Sequence, residues 1–104
     1  MGKHGSQGDE RDLEEARRIA SKCLRGQRAR VFLFGSRAMG RALRGSDVDI
    51  AVLPIDPLEP GTLSRLREAL EESSIPFAVD VVDLSRASES IRARVLAEGV
   101  AWDV

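Results

Sequence analysis

The stretch Val31-Phe32-Leu33-Phe34-Gly35-Ser36, followed after ten residues by Asp47-Val48-Asp49-Ile50-Ala51-Val52-Leu53, decides how this chain folds. The first run is short, aromatic and β-branched, the composition of a strand buried on both faces. Gly35-Ser36 ends it abruptly. The second run alternates, with Val48, Ile50 and Val52 on one face and Asp47, Asp49 and Ala51 on the other. Between the two, Ser36 to Leu43 is at most a short helix, weakened by Gly40 and Gly45.

Before this pair of strands, Asp12-Leu13-Glu14-Glu15 has capping-box spacing and an acidic first turn. Leu13, Ala16, Ala20 and Cys23 then recur at helical spacing, and Gly26 is a natural stop. Cys23 therefore reads as a small core residue rather than a reactive thiol. After the pair, Pro54-Ile55-Asp56-Pro57 is a loop, and Pro60 fits the first turn of a helix with the stripe Leu63, Leu66 and Leu70. Ser73-Ser74-Ile75-Pro76 breaks that helix, and Phe77 to Leu84 is a third strand. Ser85 or Ser88 caps a final helix carrying Ile91 and Val95, which Gly99 ends, leaving Val100 to Val104 as an extended tail. The order αβαβαβα implies one small α/β (α+β) domain over 11–104, a three-stranded mixed sheet flanked by helices, after a flexible Gly-rich leader over 1–10.

Composition narrows the function. The 104 residues carry 16 Lys+Arg and 17 Asp+Glu, a net charge of −1 that argues against stable nucleic-acid binding or a charged membrane surface. One cysteine and one histidine, His4, exclude a disulfide framework, a cysteine zinc cluster and a histidine triad. No apolar run approaches the roughly 20 residues of a membrane span, and no signal core follows the start, so a cytoplasmic protein is expected. The near-zero sum hides a segregation. Lys22 to Arg44 holds seven basic residues and no acidic one, whereas Asp47 to Asp83 holds nine acidic residues and two basic ones.

The candidate chemistry lies where those two segments meet. A Gly-Ser turn offers backbone N–H groups and a hydroxyl to phosphate oxygens. Taken alone, Gly35-Ser36 is an ordinary capped turn; joined to Asp47 and Asp49 it reads as a phosphate cradle. Aspartates at i and i+2 of a strand share a face, and their hard oxygens suit Mg²⁺. Asp80 interrupts the apolar run Val79-Asp80-Val81-Val82, a costly place for an unpaired carboxylate. If the second and third strands are neighbours, Asp80 completes a three-carboxylate site able to hold two metals. Asp83, three positions on, faces the opposite side and, near the strand end, reads as a solvated or helix-capping residue. Arg37, Arg41 and Arg44 are either solvated charges or, from their place between cradle and carboxylates, triphosphate contacts. Gly35-x-x-x-x-Gly40-Arg41-Ala42 fails as a P-loop because lysine and hydroxyl are both missing. Trp102 reads as a packing lid rather than a nucleobase stacker.

The pattern Gly35-Ser36, ten residues, Asp47-x-Asp49 resembles the signature of the DNA polymerase beta-type nucleotidyltransferase superfamily. The flanking Val31 to Gly40 and Gly45 to Val52, then Asp80-Val81-Val82-Asp83-Leu84 and Leu96-Ala97-Glu98-Gly99-Val100, extend the likeness over about residues 12 to 102. The minimal length resembles the stand-alone nucleotidyltransferases called MNT proteins, encoded beside HEPN-domain proteins. The resemblance implies a nucleotidyltransferase fold, with nucleotide phosphates at Gly35 and Ser36; Arg37 and Arg41 join them as candidate phosphate contacts from their position alone. It implies Mg²⁺, in a two-metal arrangement, at Asp47, Asp49 and Asp80, with Asp80 helping to activate the attacking hydroxyl. The expected reaction moves a nucleoside monophosphate from an NTP, ATP first among them, to a hydroxyl on a partner protein. The expected partner is a HEPN-type toxin with this chain as its antitoxin. The alternative is a non-catalytic module that inhibits such a partner by occlusion, and the residues leave open whether a homo-oligomer forms.

Overall fold

The computed structural model describes residues 5–35 and 48–102, with side chains over 11–33 and 48–102. The elements are α1 (Gly5–Cys23), β1 (Ala29–Gly35), β2 (Val48–Pro54), α2 (Thr62–Glu72), β3 (Val79–Asp83), α3 (Glu89–Glu98) and β4 (Val100–Trp102). They build one mixed sheet in the order β3-β2-β1-β4. β1 runs antiparallel to β2 and β4, and β2 runs parallel to β3. The expected short helix after Gly35 lies outside the described residues.

Each face of the sheet is covered by a separate apolar cluster. Ala16 and Ala20 of α1, with Leu66 and Leu70 of α2, pack against Val31, Ile50, Val52 and Val81. On the other face Val95 of α3 packs on Phe32, Ala51 and Leu84. Val31 and Phe32, adjacent on β1, are thus buried on opposite faces, as an apolar strand without alternation requires. Cys23 is half-buried against the α1–α2 cluster, the core role its spacing predicts.

Several boundaries differ from the sequence reading. α1 begins at Gly5, so Asp12 to Glu15 lie inside the helix, where Glu14 and Glu15 pair with Arg17 and Arg18 at i,i+3 instead of capping its start. Pro60 precedes rather than opens α2. Gly61, at φ +83°, makes the turn into it, and Thr62 N–H donates to Glu59 O at 3.1 Å. β3 is shorter than Phe77 to Leu84: it starts at Val79, and at its end Asp83 accepts bonds from Ser85 and turns the chain. Ser88, of the two candidate serines, caps α3, its Oγ accepting from Ile91 N–H at 3.2 Å. Ile91 itself is 47% exposed, and only Val95 of that expected apolar pair is buried.

The expected three-stranded sheet has a fourth strand. Val100–Trp102, expected as an extended tail, pairs with β1 in the register Val31↔Trp102, Phe32↔Ala101 and Leu33↔Val100. The reason is backbone satisfaction. β1 needs partners on both edges, and the chain leaves α3 at Gly99 already beside Phe32. A three-residue strand is too short to show a period of its own in sequence.

Candidate active site

The carboxylate site is built by register. β2 and β3 pair Asp49 directly with Asp80. On the other side of β2, Asp49 lies opposite Phe34, and Val48 lies opposite Gly35, the last residue of β1. Faces follow from alternation. Ala51 and Val82 belong to the cluster under α3, so Asp49 and Asp80, two residues earlier on each strand, project from that same face. Parallel neighbours stand about 4.8 Å apart. The two carboxylates therefore meet one row beyond the Phe32–Ala51–Val82 row, at the end of the sheet where β1 stops.

Their surroundings differ. Asp49 sits on a strand flanked on both sides and is 0% exposed, whereas Asp80 sits on the edge strand and is exposed. A buried carboxylate is expensive unless it is bonded or holds a cation, so Asp49 is the costlier of the two to keep in the fold. Asp80 Oδ1 accepts the Val81 backbone N–H at 3.0 Å, which holds one oxygen against its own strand. No signal in the sequence announces that bond, because it depends on which edge of β3 faces outward. Asp83 pairs with Val52 and so faces the α1–α2 side, away from Asp80. Its Oδ1 accepts from Ser85 N–H at 3.0 Å and Ser85 Oγ at 2.6 Å, so it makes the turn after β3, while the expected helix-capping role falls to Ser88.

The structure brings together Gly35, Asp49 and Asp80. Ser36, Arg37, Arg41, Arg44 and Asp47 lie outside the described residues. Among the described residues no set of three His, Cys, Asp or Glu side chains gathers into a metal-sized group. The donor set that is present, two hard carboxylates in register on one face, fits a cation such as Mg²⁺ and has no soft ligand that would favour zinc. Trp102 pairs with Val31 and packs on the α1–α2 cluster, on the face away from the carboxylates, as a packing residue. A cleft of about 740 Å³ opens at the opposite end of the sheet, between the Pro54 to Leu63 segment and the Asp83 to Arg86 turn, and touches neither Asp49 nor Asp80. The concavity and the chemistry are in different places, and the carboxylate register is the better guide to the site. Among the described residues no helix is long and apolar enough to cross a membrane.

Known proteins place this geometry. The family described as Polymerase beta, Nucleotidyltransferase matches residues 18–101. A probable protein adenylyltransferase MntA of Haemophilus influenzae is 42% identical over 62 residues, which is 60% of this chain and 54% of that protein. The protein adenylyltransferase MntA of Shewanella oneidensis is 39% identical over 69 residues, 66% of this chain and 49% of that protein. This chain thus spans about half the length of the curated relatives it matches. In the solved complex of tri-AMPylated Shewanella oneidensis HEPN toxin with MNT antitoxin, a chain superposes with a TM-score of 0.64 at 26% identity, covering 91% of this chain and 72% of that one. With a match over most of its length and the paired carboxylates in register beside the end of β1, this chain belongs to the polymerase beta-type nucleotidyltransferase family.

Proposed function

We propose that this chain is a Mg²⁺-dependent protein adenylyltransferase that moves AMP from ATP to a hydroxyl of a HEPN-type toxin, acting in the cytoplasm as its antitoxin. The observation that carries the reading is the register that sets Asp49 beside Asp80 on one face, where β1 ends at Gly35. The adenylyltransferase relatives and the AMPylated HEPN complex support the donor and the acceptor class.

In this reading residues 11–104 act as one domain. Gly35 and Ser36 bind phosphate oxygens through backbone N–H groups and a hydroxyl, and Arg37 and Arg41 neutralise the remaining charge. Asp47, Asp49 and Asp80 hold the cation. When bound, Mg²⁺ supplies charge stabilisation at the phosphates and lowers the pKa of the acceptor hydroxyl. Asp80, the exposed member, lies on the side open to an acceptor and takes the hydroxyl proton. The acceptor oxygen bonds to the α-phosphorus, the bond to the bridging oxygen breaks, and pyrophosphate leaves.

The test uses α-labelled ATP, Mg²⁺ and a HEPN-type partner. Label should become covalent on the partner, and Asp49→Asn or Asp80→Asn should each lower transfer at least about 100-fold with an unchanged circular dichroism spectrum. Wild-type transfer by both variants would refute the carboxylate assignment.

A further inference from the structure

We infer that Arg67 is a positioning residue for Asp80, acting through the outer edge of β3, a role that rests on the nucleotidyltransferase reading above. The ladder between β2 and β3 is bounded by Val48 N–H to Ala78 O at 3.3 Å and Leu84 N–H to Val52 O at 2.8 Å. Residues of a strand alternate in which side they bond, so Ala78, Asp80, Val82 and Leu84 turn their backbone groups toward β2. Val81 turns its N–H and carbonyl the other way. Because β3 is the terminal strand, that direction is the edge of the sheet.

Both outward groups are nevertheless engaged, each by a side chain. The Val81 N–H donates to Asp80 Oδ1 at 3.0 Å, and Arg67 Nη2 donates to the Val81 carbonyl at 3.2 Å. Arg67 belongs to α2, which covers the face opposite the carboxylates, so its guanidinium reaches the edge from that side. Asp80 reaches it from the other. A cation and a carboxylate from opposite faces thus clasp one residue. An exposed aspartate on an edge strand otherwise has several side-chain rotamers and a backbone laddered on one side only. The Val81 N–H selects the Asp80 rotamer, and Arg67 fixes the residue that carries this N–H. A group that orients a metal-binding carboxylate in this way typically matters about 10–100-fold for metal affinity or activity.

The experiment is solution NMR on the isotopically labelled full chain with Mg²⁺ alone as probe. In the wild type, three-bond couplings should show Asp80 in a single χ1 rotamer, and added Mg²⁺ should shift the Val81 amide. Arg67→Met, which keeps the apolar stem, should average the Asp80 rotamer and raise the Mg²⁺ midpoint about 10-fold. The amides of Ile50 and Val82 should stay where they are. Arg67→Lys, which restores a donor, should recover part of both effects. An unchanged Asp80 rotamer and midpoint in Arg67→Met would overturn the proposal. So would a disturbance spread equally over Ile50 and Val82, since that is the mark of a structural bond alone. Asp80→Asn separates this idea from its parent. If Asp80→Asn loses the Mg²⁺ response while Arg67→Met keeps it, positioning fails and the site stands; an unchanged midpoint in Asp80→Asn removes the site itself.

Discussion

Asp49 and Asp80 carry the same functional group in opposite surroundings, one buried between strands and one exposed at an edge. Two carboxylates in register repel each other, so neutralising one relieves that repulsion and, in the function proposed above, weakens the hold on a cation. Asp49→Asn is therefore expected to melt at or above the wild-type temperature, measured without added metal; a clear drop would mean that the carboxylate is a structural anchor. Gly99 is the converse case, a residue kept for packing. A Cβ there would lie 2.7 Å from Val95 O and 3.3 Å from the Phe32 Cβ. Neither neighbour has room to give, because Val95 and Phe32 are both in the cluster beneath α3. Gly99→Ala should lose about 1–3 kcal/mol in urea unfolding, the usual range for overpacking.

Elements differ in how much of their stability is local. α3 buries only Val95 and relies on its ends, with Ser88 bonding Ile91 N–H at the start and Gly99 N–H bonding Val95 O at 2.7 Å at the finish. Ser88→Ala should cost about 1 kcal/mol in chemical denaturation, and Ser88→Asp should retain most of the stability. α1 is the contrast, an amphipathic helix whose outer face is laced by Glu14–Arg17 and Glu15–Arg18 pairs. The Arg17 guanidinium bonds the Glu14 carboxylate and holds its pKa below the ordinary 4.5. A lowered carboxylate pKa stabilises above the ordinary value, and that contribution is lost as pH falls through the lowered one. Because the pair is exposed, Arg17→Gln should bring the Glu14 titration back toward the ordinary value by NMR with almost no change in melting temperature at neutral pH.

At the scale of the whole molecule, the two faces of the sheet are covered unequally among the described residues. α1 and α2 cover one face, α3 covers part of the other, and the carboxylates occupy the end of that second face. The net charge of −1 conceals this layout, since a sum over the chain does not show where two carboxylates meet. ATP and Mg²⁺ together should stabilise the wild-type chain against heat by about 2.7 kcal/mol at a ligand concentration 100 times its Kd. Each ligand alone should do less, and Asp49→Asn should abolish the joint effect. An equal shift in that variant would place the nucleotide elsewhere on the molecule.

Local pattern alone was enough for the apolar β1 run, the alternation of β2 and the helical spacing of Ala16 and Ala20. These are properties of neighbours in sequence, set by side-chain period and backbone preference, and they carried the family resemblance with them. What only the tertiary structure decided depends on contacts between distant segments. The parallel register that brings Asp80 to Asp49 is one such contact, and it joins residues 31 positions apart that no local period relates. The recruitment of Val100–Trp102 as a fourth strand is another, imposed by the unpaired edge of β1. The outward turn of Val81, with Arg67 and Asp80 closing on it, is a third. Composition and spacing name the groups that can do chemistry; backbone pairing decides which of them meet, because hydrogen-bond satisfaction and burial are properties of the assembled sheet.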